Sequence, residues 1–446
     1  MNATRTTGIA IVALCASLGA GARTFPDGVV GPNYDPEKIG TYTLEDPLVF
    51  EDGRKVATAA DWAERRREIV ALYEREMYGR TPPPPETVVT DLLDDRDVCA
   101  GFARMRSFKM WFRKDMTGPK IEWIVFHPKT GKGPFPVILF LNPSGNQALL
   151  ADKHVPLSRA WLRNSSSNGV VDNHTTEASR ATLWDLDRAM RFPLDTIIAR
   201  GYAVISCCYG EVSPDPDIWE DGKDMATFPY TGIFDLWPLR DPKGESEFTA
   251  LGAWAWTLSR GLDLAERLPE IDAKRSVVTG SSRLGKSALL AGSRDERFAV
   301  VVPNQTGNGG VPLAKRNFGE NVSTETWQFP HWFCRRYARY ANREKEMPFD
   351  QHFLLATIAP RALLVQGFNN PWFDTEGEYL ACRAASPAWT VNGLPGLPGN
   401  AFPETGSFEA VGPRLGYYRR IGGHGIAAID WLAMMDFADG VFGIRR

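Results

Sequence analysis

Apolar positions along the chain follow two rhythms. Over 137–141, 298–302 and 362–365 they run without interruption, and near 61–78 and 251–266 they recur at helical spacing. Uninterrupted runs this short, rich in Val, Ile and Leu, predict strands buried on both faces of a sheet. Further apolar stretches place strands at 121–126, 202–208 and 276–279, and 417–421 is strand-like. Trp62, Arg66, Ile69, Val70, Tyr73 and Met77 predict a helix over 61–78, and Leu251, Trp254, Ala255, Leu258, Leu262 and Ala265 form one stripe of a helix over 251–266. Strands and helices alternate over most of the chain, which predicts an α/β class built on a mostly parallel sheet covered by helices on both sides. Residues 23–60 read as irregular. Two long stretches lack a period, 143–195, rich in Asn, Ser and Arg, and 389–415, rich in Gly and Pro. Loops of that length in a compact domain usually carry function.

Chemistry concentrates in Gly280-Ser281-Ser282-Arg283-Leu284-Gly285-Lys286-Ser287. It fits the phosphate-cradling G-x-x-x-x-G-K-[ST] loop, with Lys286 and Ser287 on a nucleotide and its Mg²⁺. It also fits a nucleophile elbow, with Ser282 on a sharp turn between a strand and a helix. The surroundings favour the elbow. A phosphate loop normally follows the first strand and needs an acid at the end of a neighbouring one. Here at least three strands come first, and the candidate strand ends read Asn304-Gln305 and Asn369-Asn370.

The N-terminus points the same way. Arg5 is the only charge before residue 23, 8–18 is an apolar run too short to span a bilayer, and Ala20-Gly21-Ala22 is a small-x-small site. These predict a signal peptide over 1–22, hence a secreted or periplasmic protein that rarely meets ATP. The formal charge of −3 becomes one unit more negative without Arg5, which disfavours nucleic acid and anionic membranes as partners. No later segment has the length and apolarity of a membrane span. Residues 23–446 are expected to form one domain, with a monomer as the expected state. Of six cysteines, Cys15 lies in the leader. Cys99, Cys207, Cys208, Cys334 and Cys382 allow one disulfide but form no metal-ligand pattern, so no metal and no cofactor are expected. Arg65, Arg66 and Arg67 read as the solvated side of the first helix; Arg335, Arg336 and Arg339 read as solvated too, with the border of a glycan groove after Trp332 as the alternative.

An elbow serine needs a base, and histidines are scarce. His424 lies in Gly422-Gly423-His424-Gly425, after the last predicted strand. That is where a hydrolase of this kind carries its imidazole.

The octapeptide and its continuation Ser287-Ala288-Leu289-Leu290-Ala291-Gly292 resemble the bacterial glucuronoyl esterases of carbohydrate esterase family 15. Similar motifs extend over about 110–445: Leu141-Asn142-Pro143-Ser144-Gly145-Asn146, Tyr209-Gly210-Glu211, Gly252-Ala253-Trp254-Ala255-Trp256, Phe318-Gly319-Glu320, Phe329-Pro330-His331-Trp332-Phe333, Pro348-Phe349-Asp350-Gln351-His352 and Ile358-Ala359-Pro360-Arg361. The resemblance implies the α/β-hydrolase fold and a metal-free serine esterase. Its substrate would be the ester between (4-O-methyl)glucuronoyl branches of xylan and lignin alcohols. Carried over, Ser282 is the nucleophile, His424 the general base and acid, and Arg283 the oxyanion donor. Lys286, Trp372 and Glu320 then contact the sugar.

The third catalytic member departs from the family pattern. Its two carboxylate positions fall on Gln305 and Asn370, both amides. Three arrangements stay open: a nearby carboxylate, Asp374 first, with Glu376 and Glu378 in the same segment; a slow Ser–His enzyme oriented by Gln305 or Asn370; or a relative that binds glucuronoxylan fragments without turnover. An esterase for another carbohydrate ester is a further alternative.

Overall fold

The computed structural model describes residues 25–183, 191–218, 230–237 and 246–445, so the expected signal peptide lies outside it. Nine strands make one sheet: β1 (Val89–Val98), β2 (Ala103–Trp111), β3 (Lys120–Pro128), β4 (Phe135–Asn142), β7 (Ala203–Cys208), β8 (Ile271–Ser281), β9 (Val300–Asn304), β10 (Ala362–Phe368) and β11 (Leu415–Arg420). Apart from it, β5 (Val170–Val171) and β6 (His174–Thr175) form a small hairpin in the long 143–195 stretch. The spatial order is β1-β2-β3-β7-β4-β8-β9-β10-β11. Pairing is antiparallel from β1 through β3 to β7 and parallel from β7 to β11.

Packing explains the uninterrupted apolar runs. In β4, Val137, Leu139 and Leu141 enter one core while Ile138 and Phe140 enter the other. In β10, Leu363 and Val365 face the first core and Ala362 and Leu364 the second. Each side chain is needed on its own face, so no polar alternation survives. The first core is roofed by the helices Ala59–Tyr73, Ala250–Ala265 and Arg283–Arg294, and the second by Leu194–Ala199 and Ala428–Phe442. The parallel strands all end at one edge, and the residues following β7 through β11 gather there.

Several expectations change. The first helix starts earlier, at a Thr58/Asp61 capping box, and ends as α-helix at Tyr73, passing into a π turn over Glu74–Tyr78. Arg65 and Arg66 are buried rather than solvated. Arg66 donates to the carbonyls of Thr357 and Ser293 and pairs with Glu296, so the helix docks through cations that satisfy backbone oxygens. Arg67, Arg335 and Arg339 are exposed, as expected. The helix Ala250–Ala265 is buried nearly all round, not along one stripe; Trp254 and Trp256 donate to the carbonyls of Tyr209 and Pro83 on its flanks. The allowed disulfide does not form: Cys99, Cys207, Cys208, Cys334 and Cys382 are all free. Among the described residues no helix is long and apolar enough to cross a membrane.

Candidate active site

The octapeptide folds as an elbow. Ser281 closes β8, Ser282 follows with φ 59° and ψ −130°, and Arg283 begins the next helix. A non-glycine residue at positive φ is strained and persists only when its surroundings hold it. The Ser282 N–H donates to the Asn304 carbonyl (3.0 Å) and the Lys286 N–H to the Ser282 carbonyl (3.0 Å). Both glycines are required by close approach. A Cβ on Gly280 would sit 2.3 Å from the Leu284 carbonyl oxygen, and one on Gly285 2.8 Å from those of Asn304 and Gly280. The phosphate-loop alternative fails on side chains. Ser287 is buried and donates to the Arg283 carbonyl (3.0 Å) within its own helix. Lys286 is buried against Glu325, with Glu320 at 3.9 Å. A phosphate there would meet two carboxyl groups.

His424 comes from the loop after β11. Its Nδ1 is 3.0 Å from Gln305 Oε1, which also accepts the Gly425 N–H at 2.8 Å. Gln305 Nε2 donates to the Gly425 carbonyl (3.3 Å), completing a clamp that orients the amide. An oxygen already accepting one N–H can only accept from the imidazole, so the proton sits on Nδ1 and Nε2 carries the lone pair. Gln305 is itself buried, at φ 48°, with its N–H on the Gln366 carbonyl (2.8 Å). Phe373 stacks on the imidazole at a centroid distance of 4.8 Å. Lost hydration against these walls lowers the pKa of His424, and so do the charges of Arg283, Arg191, Lys286 and Arg420. The imidazole is therefore neutral, a free base, at ordinary pH.

The other candidate acids lie elsewhere. Asp374 caps the helix Thr375–Ala385 by accepting the Gly377 N–H (3.1 Å), and it faces Arg316 Nε at 3.5 Å. Burial pushes its pKa up to about 7. Asn370 accepts the Trp372 N–H (2.9 Å), and Glu376 pairs with Arg316. Glu378 is wholly buried, with its pKa raised by desolvation. Of Asp374, Asn370 and Gln305, the structure brings only Gln305 to His424 Nδ1.

Around the serine, Arg283 Nε faces Asp215 Oδ2 at 2.7 Å. Lys286 Nζ and the Arg283 guanidinium carbon lie over the Trp332 ring, 4.8 and 5.5 Å from its centroid. Glu320 accepts the Asn308 N–H (3.1 Å), Glu325 accepts from Asn308 Nδ2 (2.9 Å), and burial raises the pKa of both carboxyls. Trp372 is half-buried, and its carbonyl accepts the Glu320 N–H (2.9 Å), so the two expected sugar contacts are tied together. Sequence reasoning missed Asp215, Glu325 and Phe373. Asp215 lies in a polar stretch with no recognisable motif. Glu325 stands five residues after Glu320, in a stretch with no motif to mark it. A cavity of about 950 Å³ lies at the opposite edge of the sheet, lined by Pro136, Gly201 and Arg275, and includes none of these residues.

A mostly parallel sheet, helices on both faces and a strained serine turn after β8 define an α/β-hydrolase. Comparison with known proteins gives the family. A sequence profile for "Glucuronyl esterase, fungi" matches residues 233–393. A carbohydrate esterase from an unknown prokaryotic organism is 35% identical over 414 residues, 92% of each chain. A 4-O-methyl-glucuronoyl methylesterase of Podospora anserina is 27% identical, covering 80% of this chain and 63% of that one. Among solved structures, a glucuronoyl esterase from Solibacter usitatus superposes with a TM-score of 0.82 at 32% identity, over 92% of this chain and 100% of that one. A promiscuous CE15 esterase from a marine bacterial metagenome gives a TM-score of 0.82 at 34% identity, over the same shares. The chain belongs to carbohydrate esterase family 15, the glucuronoyl esterases, and is an esterase.

Proposed function

We propose that this protein is a secreted serine esterase that cleaves the link between (4-O-methyl)glucuronoyl branches of xylan and lignin alcohols, with an amide in place of the usual carboxylate. The contact of His424 Nδ1 with Gln305 Oε1 at 3.0 Å carries this reading. It leaves Nε2 free to take the Ser282 proton, the step a serine hydroxyl needs to become nucleophilic. Ser282 attacks the ester carbonyl, His424 returns the proton to the leaving alcohol, and water repeats the sequence on the acyl-enzyme. Arg283, next in sequence to the nucleophile, places a permanent positive charge beside the developing oxyanion. Lys286, Glu320 and Trp372 surround the sugar. The predicted leader over 1–22 supports export.

Gln305 orients the imidazole but brings no charge to the imidazolium, which supports slow turnover. In serine proteases an Asp→Asn change at this position costs about 10⁴ in kcat, largely because the tautomer is wrong. The clamp here keeps the useful tautomer, so the penalty is smaller. The test is hydrolysis of benzyl glucuronate by the protein without residues 1–22, beside Ser282→Ala. Turnover that disappears in Ser282→Ala is expected. Equal inertness of both, with retained binding of glucuronoxylan fragments, would instead make the protein a sugar-binding relative.

A further inference from the structure

A buried charge beside the nucleophile serves neither attack nor proton transfer. Asp215, which follows β7, is wholly buried. Its Oδ1 accepts the Trp332 Nε1–H (2.7 Å) and lies 3.0 Å from His331 Nε2. Its Oδ2 accepts from Arg163 Nη2 (3.0 Å) and faces Arg283 Nε at 2.7 Å. Burial alone would raise its pKa, but Arg163, Arg283 and His331 outweigh that and hold it well below the usual carboxylate range. Burial also keeps His331 neutral, so its Nε2 donates a hydrogen to the carboxylate.

We infer that Asp215 is the positioning residue of Arg283: its buried carboxylate pairs with the guanidinium from the Nε side, as an ion pair rather than a hydrogen bond, and leaves the Nη edge for the oxyanion of the ester. This rests on the oxyanion role proposed for Arg283 above. Three observations carry it. The Arg283 side chain is 22% exposed, and among the described residues Asp215 is its one carboxylate partner. Arg163 has a second carboxylate, Asp217 at 3.4 Å, whereas Arg283 pairs with Asp215 alone among the described residues. The third is the Phe329–Trp332 segment, which converges on the same carboxylate. His331 and Trp332 contact it, Phe329 stacks on Trp332 at 3.8 Å, and Trp332 presents its face to Arg283 and Lys286.

The physical need is clear. Two cations share one aromatic face, and without a fixed anion they repel. A flexible guanidinium would then turn to solvent and have to be reorganised in every catalytic cycle. A donor held in place beforehand avoids that reorganisation, the main advantage of a preorganised oxyanion site.

The test is a double-mutant cycle on benzyl glucuronate. Asp215→Asn keeps an acceptor for His331 and Trp332 and removes the charge. It should lower kcat by about 10²-fold, the effect of losing one oxyanion donor, with KM within about twofold. Added to Arg283→Ala, it should cost nothing more. Additive losses, or a rise in KM alone, would overturn the proposal. Should Asp215→Asn not fold, Arg283→Lys asks the same question, because an ammonium keeps the charge but lacks the planar fork that can pair with a carboxylate on one side and an oxyanion on the other. It should be as slow as Arg283→Ala, and wild-type speed would overturn the proposal. A readout without turnover is the mobility of the Arg283 guanidinium by NMR relaxation of its Nε: restricted in the wild type, freer in Asp215→Asn. Equal mobility in the two refutes the positioning even if Ser282 proves inert, whereas loss of Ser282-dependent turnover in the wild type refutes only the reaction assigned above.

Discussion

Replacing Gln305 with Glu restores a charge where the family pattern expects one and leaves the geometry nearly unchanged. The new oxygen would stand where Oε1 now lies, 3.0 Å from His424 Nδ1. With charge centres about 4 Å apart and an effective dielectric of about 20, attraction to the imidazolium of the transition state is about 4 kcal/mol. Two costs oppose it. The Nε2–H bond to the Gly425 carbonyl, a long one at 3.3 Å, is lost at about 1 kcal/mol. Burial of the new charge takes a further share, moderated by the Gly425 N–H and the nearby Arg420. A net gain of about 2–3 kcal/mol remains, or an increase in kcat of between about 30- and 150-fold. The pH profile adds an independent check. His424 now titrates below its ordinary value because lost hydration, and then the nearby cations, disfavour its charged form. A carboxylate favours that form, so the pKa rises. Since the base must be neutral to act, the acid limb of kcat/KM moves to higher pH, and the gain is greater at pH 8 than at pH 5. Steady-state hydrolysis of benzyl glucuronate from pH 4 to 9 measures both. An unchanged kcat with an unmoved acid limb, in a variant with the wild-type unfolding temperature, would refute the role given to Gln305.

Two further variants probe the turn and the sugar site. Gly280→Ala drives a Cβ to 2.3 Å from a backbone oxygen of the next turn, which cannot swing away as a side chain can. The expected loss is about 3 kcal/mol of stability, read by thermal unfolding; an unshifted midpoint would show that the elbow does not need this approach. Trp372→Ala removes a half-buried ring proposed to lie against the pyranose. It should raise KM about tenfold with kcat nearly constant, the sign of a contact made equally in ground and transition states; a fall in kcat at constant KM would place the ring nearer the reacting atoms.

The sheet was legible because burial on both faces leaves an uninterrupted apolar run that is hard to mistake, as in β4 and β10. The β1–β2 hairpin was missed for the opposite reason. β1 is an edge strand with Leu92 and Leu93 exposed and Asp95 and Asp97 paired to Arg104, so its pattern resembles a polar loop. The helix Ala428–Phe442 was missed because apolar residues surround it and blur the helical period. Arg65 and Arg66 misled because a run of arginines looks solvated, and only a neighbouring segment's free carbonyls make burial favourable.

By itself the sequence determined the elbow, the candidate base, the family and the scarcity of acids behind His424. Each is a local matter, a spacing or a residue type that the chain carries wherever it folds. The partner of His424 was a different kind of question. Gln305, Asn370 and Asp374 all lie just past strand ends at the same edge of the sheet, and their order along the chain cannot rank them. Tertiary structure decided it through the turn at Gln305, whose buried side chain meets both His424 and Gly425, while Asp374 and Asn370 are engaged with the N–H groups of their own turns. It likewise set Asp215 against Arg283 across a long sequence separation, since an ion pair of that kind depends on which strands become neighbours.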